Sequence, residues 1–228
     1  MVGNLLQRLL GEDVRVRPRL FNRFRIEEGL WTQRLYGRPP QRYLGPVHGV
    51  GNVHALLQAD DERNADLQRE TAAVLAREAV LEDGLATWPA LAGGELQPRD
   101  GEIRLQWCHG APGMVATATL YLDEELLRGG AELTWRAGGH GTEKGAGLCH
   151  GTAGNGYALL KAFARTGDER WLDRARRFAV HALAQAERAR EEVGRGRYSL
   201  FTGDVGVALF APACLDAEAR FPVLDGWD

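Results

Sequence analysis

Two of the three cysteines of this chain lie in the same short pattern, Cys-His-Gly-x-x-Gly. The first copy begins at Cys108 and the second at Cys149, and a histidine follows each of them, His109 and His150. Thiolates and imidazoles are ligands that Zn²⁺ prefers in proteins, and two thiolates neutralise its charge. Two sulfur ligands and one nitrogen ligand leave a fourth position open, as in catalytic zinc sites. The pattern therefore indicates a metal centre suited to thiol chemistry, because zinc holds a bound thiol as its thiolate near neutral pH.

Other interpretations of these residues remain open. A cysteine is most often a small buried hydrophobic residue. The two matching motifs favour metal binding over simple burial for Cys108 and Cys149. A closed structural zinc site would need a fourth ligand, and Cys214 is the remaining cysteine. Cys214 lies at the far end of its segment from Gly203, so we expect it to be buried away from the metal. We expect His109 to support or pack against the site rather than to bind the ion.

The Cys-His-Gly pattern belongs to a repeat with four copies, each a glycine pair followed by an apolar stretch rich in Ala, Leu and Val. The first copy has Asn52 where the second glycine is expected, and the fourth has Thr202 in place of the histidine. The copies are PVHGVGNVHALLQA (46–59), WCHGAPGMVATATLYL (107–122), LCHGTAGNGYALLKAFA (148–164) and LFTGDVGVALFAPACL (200–215).

The apolar stretches predict buried inner helices, and the amphipathic segments that follow the first three predict solvated outer helices. These outer segments are Asp61 to Glu82, Asp123 to Ala137, which Gly129 and Gly130 should interrupt, and Asp168 to Glu192. Strand patterning is nearly absent, with Gly101 to Trp107 as the one short strand or extended lead-in. Stacked hairpins of this kind predict an all-α fold, an α/α solenoid or toroid. If the inner helices run the same way, their N-termini gather the cysteines and histidines at one end.

The bulk composition suits one domain or one part of a larger one. The chain has 228 residues, 44% hydrophobic residues and a net charge of −3. This balance predicts neither a nucleic acid nor a membrane partner. The Arg-rich segment Arg15 to Arg25 is expected to be a solvated lead-in, and the start does not have the pattern of a signal peptide. Few cysteines and no disulfide spacing favour a reducing, cytoplasmic setting.

Taken together, QWCHGAPG, GLCHGTAGN, SLFTGDVG and the terminal ARFPVLD resemble the lanthionine synthetase C-like family, especially its stand-alone members. The resemblance runs from about Tyr43 to the end, so we divide the chain into a lead-in (1–42) and a family domain (43–228). Family members are α/α toroids of about seven hairpins around one zinc ion. They add a thiol, either a peptide cysteine or glutathione, to dehydroalanine or dehydrobutyrine by Michael addition, which forms a thioether.

The resemblance implies roles for five residues. Cys108, Cys149 and His150 match the zinc ligands of the family, with one zinc per chain. His48, in PVHGVG, matches a histidine with an acid or base role. Arg104 stands where cyclases often carry an arginine near the enolate, and a cation there suits the negative charge that builds up on the carbonyl oxygen of the acceptor.

The sequence departs from the family in its N-terminal part. About four of the seven hairpins are expected, and an early hairpin with a catalytic aspartate is missing. We therefore expect a fragment or truncated product, or a chain that associates with itself or with a completing N-terminal half. A non-catalytic, zinc-stabilised module that binds peptides or proteins is the alternative function. A carbohydrate-processing α/α toroid enzyme is a remote alternative function. That chemistry uses paired carboxylates, whereas the repeated motif offers cysteine and histidine.

Overall fold

The computed structural model describes residues 26–33, 39–50, 53–54, 63–96, 103–138 and 145–225. Within these ranges the structure is mainly helical, and each strand has only two or three residues. The helices are α1 (Arg63–Glu78), α2 (Ala111–Ala118), α3 (Glu124–Ala137), α4 (Thr152–Thr166), α5 (Glu169–Val193) and α6 (Asp204–Leu215). The strands are β1 (Ile26–Glu27), β2 (Leu30–Trp31), β3 (Val80–Glu82) and β4 (Leu85–Thr87), paired antiparallel as β1–β2 and β3–β4.

Inner and outer helices alternate along the chain. The inner helices α2, α4 and α6 follow the glycine motifs, and the outer helices α3 and α5 follow α2 and α4. Helix α2 packs against α3 and α4, and α4 packs against α5 and α6. Every residue of α2 is buried, whereas α5 buries a single apolar stripe, as an amphipathic outer helix does. The predicted all-α fold of helical hairpins is therefore confirmed.

Helix α3 shows how local signals and packing combine. The side chain of Asp123 caps its N-terminus by accepting hydrogen bonds from backbone N–H groups of the first turn. The helix continues unbroken through Gly129 and Gly130, so the predicted interruption is wrong. A Cβ atom at Gly130 would lie 2.8 Å from Cγ2 of Val115, and one at Gly129 would meet the β3–β4 hairpin. The two glycines thus let α3 approach its neighbours closely.

The first outer helix ends earlier than predicted, because the β3–β4 hairpin follows it. The sequence predicted one helix to Glu82, but α1 ends at Glu78. Asp83 and Gly84 then adopt positive φ angles of 50° and 74°, which joins β3 to β4. Asp-Gly is a strong signal for a two-residue hairpin turn, because both positions need positive φ.

Several other predictions can be compared with the described residues. The segment 101–107 was predicted as a short strand or an extended lead-in, and its described part, residues 103–107, forms no strand; Gln106 makes an isolated bridge with His109. In the first repeat, residues 50, 53 and 54 are helical, and Asn52 lies outside the described residues. The lead-in up to residue 25 also lies outside them. No helix among the described residues is long and apolar enough to cross a membrane.

An aromatic cluster joins the C-terminal segment to the inner helices. The ring of Phe221 stacks on that of Trp107, with centroids 4.8 Å apart, and is tilted against Tyr157 at 4.9 Å. Tyr157 also contacts Phe210 of α6 at 4.9 Å. Each such pair contributes about 0.5–1.5 kcal/mol beyond the burial of its area. Because Trp107 precedes Cys108, the C-terminal segment packs directly behind the second glycine motif.

Candidate metal centre

The four glycine motifs share one loop geometry. A Cβ atom on the first glycine of each motif would lie between 1.6 and 2.3 Å from the carbonyl oxygen of the residue six positions earlier. These pairs are Gly49 with Tyr43, Gly110 with Arg104, Gly151 with Gly145 and Gly203 with Arg197. A Cβ atom on the second glycine of the last three motifs would likewise lie 1.8 to 2.5 Å from the carbonyl oxygen of the residue six positions earlier. These pairs are Gly113 with Trp107, Gly154 with Leu148 and Gly206 with Leu200. Only a residue without a side chain allows this approach of the backbone, which explains the Gly-x-x-Gly pattern.

A tight backbone turn presents Cys108. The N–H of Gln106 donates to the carbonyl oxygen of His109 at 3.0 Å, and the N–H of His109 donates back at 2.9 Å. The side-chain amide of Asn155, on α4, donates to the carbonyl oxygen of Leu105 at 2.9 Å. These contacts hold the turn in place against the next inner helix, with Cys108 buried near its tip.

The loops of consecutive motifs are joined by backbone hydrogen bonds. The N–H of Cys108 donates to the carbonyl oxygen of Cys149 at 3.2 Å, and the N–H of Cys149 donates to that of Phe201 at 2.7 Å. Phe201 occupies the position of the cysteine in the fourth motif. The N-terminal ends of α2, α4 and α6 therefore lie side by side, as the sequence predicted.

Cys108, Cys149 and His150 lie close enough to bind one metal ion. One sulfur or nitrogen atom from each lies within 4.8 Å of the other two. Sγ of Cys149 and Nε2 of His150 are 3.8 Å apart. Ligands of a tetrahedral zinc site are separated by roughly 3.5–4 Å, given Zn–S bonds of about 2.3 Å and Zn–N bonds of about 2.0 Å. Cys108 is buried, whereas Cys149 and His150 are half-buried, so the group faces solvent on one side.

His48 and Arg104 both lie near His109, the residue that follows Cys108. The His48 ring is exposed and lies 6.5 Å from the His109 ring and 5.4 Å from the Tyr43 ring, measured between centroids. Arg104 is exposed and lines a cleft together with His109 and Gly110. His109 thus lies between the two residues and next to Cys108. The catalytic roles of His48 and Arg104 stay predictions.

The third cysteine has a different environment. Cys214 is buried on α6, and burial raises the pKa of its thiol to about 12. Such a thiol stays protonated, while a metal ligand must be a thiolate. Among the described residues, the one group of metal-binding side chains contains the other two cysteines and not Cys214. Burial was the expectation for this residue.

Sequence reasoning missed two groups of residues. Gln106 donates its side-chain amide to Sγ of Cys108 at 3.0 Å, and nothing in the motif spacing indicated this contact. Nε2 of His54 lies 2.9 Å from a carboxylate oxygen of Asp225, a contact that no motif in the sequence indicates. Lys161 contacts the other oxygen of Asp225 at 2.5 Å. His181 is exposed on the outer helix α5, and His140 lies outside the described residues.

Comparison with known proteins identifies a family for this arrangement. A family model described as lanthionine synthetase C-like protein matches residues 22–225. A Danio rerio protein named glutathione S-transferase LANCL1 is 28% identical over 203 residues, which cover 81% of this chain and 46% of that protein. LanC-like protein GCL1 of Arabidopsis thaliana is 33% identical over 141 residues, which cover 56% of this chain and 31% of that protein. The chain spans less than half the length of each of these relatives.

Proposed function

The chain belongs to the lanthionine synthetase C-like family of α/α toroids, and on that premise we propose that it is a zinc-binding protein that adds a thiol to a dehydrated residue. The acceptor is dehydroalanine or dehydrobutyrine in a peptide or protein, and the product is a thioether. The observation that carries the proposal is the convergence of two cysteines and one histidine within 4.8 Å. We assign the three as ligands of one zinc ion.

The donor set fits zinc in number and kind. Two thiolates and one imidazole match a four-coordinate site with one position left for an external ligand. The partial exposure of Cys149 and His150 supports access from solvent to that position. When bound there, zinc would supply the positive charge that keeps an incoming thiol deprotonated near neutral pH.

Arg104 and His48 have separate tasks in the proposed addition. The sulfur of the donor forms a bond to the β-carbon of the dehydrated residue, and the electron pair of the carbon–carbon double bond moves towards the acceptor carbonyl. The guanidinium of Arg104 stabilises the negative charge that develops on the carbonyl oxygen. His48 delivers a proton to the α-carbon, which balances the proton that the donor thiol lost when its thiolate formed and completes the addition.

Glutathione and a peptide cysteine are both suitable donors in this scheme. The name of the Danio rerio relative, a glutathione S-transferase, supports glutathione as the donor to test first. The proposed zinc ligands must be thiolates, and none of the three cysteines forms a disulfide bond. We therefore place the protein in a reducing compartment such as the cytoplasm.

A direct assay tests the proposal. Zinc-loaded protein is mixed with a dehydroalanine peptide and glutathione, and the adduct is followed by its mass. We expect adduct formation faster than with metal-stripped protein, and we expect Cys149→Ala to reduce the rate to that of the stripped control. Because the chain spans less than half of its relatives, the same assay is run with the N-terminal half of a relative added. Equal rates with and without metal in both formats would reject the enzyme and leave a binding module.

A further inference from the structure

The side chain of Gln106 makes a direct contact with one of the candidate metal ligands. Its Nε2 atom donates a hydrogen bond to Sγ of Cys108 at 3.0 Å. Both residues are buried, with 6% of Gln106 and 5% of Cys108 exposed. Because both residues are buried, water competes little for the amide, and the low local dielectric strengthens its hydrogen bond to the sulfur.

The backbone holds this amide in a defined place. The reciprocal hydrogen bonds between Gln106 and His109 close the turn on one side. Asn155 anchors the carbonyl oxygen of Leu105 from α4, on the other side. Gln106 is therefore attached to the same rigid turn as Cys108, and its amide is pre-organised towards the sulfur rather than recruited when a ligand binds.

The two cysteines of the centre differ in their surroundings. Cys149 is half-buried and lies 3.8 Å from Nε2 of His150. Cys108 is buried and accepts the amide of Gln106. This difference matters in the proposed function, because the acceptor is an electrophile and any nucleophilic sulfur at the centre can add to it. Alkylation of a ligand sulfur would convert a charged thiolate into a neutral thioether and remove a metal ligand.

We propose that Gln106 is a positioning residue that holds Cys108 as a metal ligand and lowers the nucleophilicity of its sulfur. The inference rests on the proposed function, since it assumes that the centre holds zinc and handles an electrophile. An N–H donor draws charge from a thiolate, and such charge-assisted hydrogen bonds are stronger than neutral ones. Residues that support metal ligands in this way typically change metal affinity by about 10–100-fold when they are replaced.

The test compares Gln106→Met with wild type and with Gln68→Met. Methionine keeps the length of the side chain but removes the donor. Gln68 is half-buried on α1 and serves as a matched control. We expect zinc affinity, measured by competition with a chromophoric chelator, to fall about 10–100-fold in Gln106→Met and to stay unchanged in Gln68→Met. In the cobalt-substituted protein, the sulfur-to-metal charge-transfer band should shift only in Gln106→Met.

Alkylation of the zinc-loaded protein gives a second readout. Iodoacetamide joins a thiolate sulfur to its methylene carbon and releases iodide, and peptide mass mapping reports the label on each cysteine. We expect Cys108 to be labelled faster in Gln106→Met than in wild type, with Cys149 as the internal reference. Gln106→Glu, which places a carboxylate beside the sulfur, should weaken zinc binding further and gives a second variant if Gln106→Met does not fold.

The outcomes separate this inference from the proposed function. If wild type binds zinc but the Gln106 variants show wild-type affinity, charge-transfer band and Cys108 labelling, the role of Gln106 is refuted and the metal centre stands. If wild type binds no zinc, the proposed function and this inference fail together.

Discussion

The backbone N–H of Cys108 donates to the carbonyl oxygen of Cys149 across 3.2 Å, so two motifs separated by a whole helical hairpin are neighbours in space. The next motif continues the series, because Cys149 donates to Phe201. The loops are thus stacked through their backbones, and the direction of each side chain follows from its place in the motif. This stacking brings the two sulfurs and the imidazole of His150 together.

Metal content should depend on two of the three cysteines. We expect about one zinc per folded chain in wild type, and loss of the metal in Cys108→Ala and in Cys149→Ala, because each removes a thiolate ligand. Cys214→Ala should keep its zinc, since this buried thiol has a pKa of about 12 and lies outside the group. Elemental analysis by mass spectrometry measures the metal. Loss of zinc in Cys214→Ala would disprove the open three-ligand site.

Replacing His48 should slow the reaction without removing the metal. If His48 delivers the proton, His48→Ala lowers the rate of adduct formation by about 10²–10⁴-fold. Zinc content should be that of wild type, because His48 is not in the Cys108 group. His181→Ala, on the exposed side of α5, is the control and should leave the rate unchanged. A wild-type rate in His48→Ala would exclude the assigned role.

The buried carboxylate of Asp225 should stabilise the fold in a pH-dependent way. Burial raises its pKa, but the hydrogen bond from His54 and the charge of Lys161 outweigh burial and hold the pKa below its usual range. Asp225→Asn leaves Lys161 without its charged partner and should lower the free energy of unfolding by about 3–5 kcal/mol at pH 7. Phe221 also donates its N–H to this carboxylate, at 2.6 Å.

The sign of the pH effect follows from the lowered pKa. The stabilisation is fully present above the unfolded pKa of about 3.9 and is lost as the pH falls through the lower folded-state value. The difference between wild type and Asp225→Asn should therefore shrink only below about pH 4, as measured by urea unfolding of metal-stripped protein between pH 7 and about pH 2. Asp173→Asn removes an exposed pair with Arg177 and should cost at most about 0.5 kcal/mol. A constant difference at all pH values would contradict this account.

The second glycine of the third motif should not tolerate a side chain. A Cβ atom at Gly154 would lie 1.8 Å from the carbonyl oxygen of Leu148 and 3.0 Å from Cβ of Trp107. Gly154→Ala should therefore force the loop and α4 apart and destabilise the protein by about 1–3 kcal/mol or more. Thermal unfolding measures this, with the exposed Gly94→Ala as a milder control. Equal melting temperatures would show that the loop adapts freely.

Helix α6 exposes apolar residues, and we expect the chain to associate with itself in solution. Val205, Leu209 and Leu215 are 39%, 44% and 74% exposed and recur on one side of this inner helix. Leu209→Glu should shift the protein towards monomers in light scattering coupled to gel filtration, because a charge opposes burial of this face. Leu183→Glu, at an equally exposed leucine of α5, is the control. A wild-type chain that is monomeric at all concentrations would refute the expectation.

The sequence by itself determined the features that local signals encode. The glycine pairs marked the starts of the inner helices, because the backbone packs against carbonyl oxygens at those positions. Asp123 and Asp168 marked the starts of the outer helices, where their side chains cap the first turn. The repeated motif also predicted that Cys108 and Cys149 converge, since equal loops on parallel helices point their side chains alike.

The tertiary structure decided the contacts between segments that share no pattern. The amide of Gln106 reaches Cys108 only because the turn closes as it does. Asp225 meets His54 and Lys161 because the C-terminal segment packs across the inner helices. These contacts depend on how whole hairpins pack. The residues that meet across such interfaces follow no periodic pattern along the sequence, so the sequence does not predict them. The β3–β4 hairpin belongs partly to each group. The Asp83-Gly84 pair is a local turn signal, but the amphipathic pattern that continues to Glu82 led to the prediction of a longer helix.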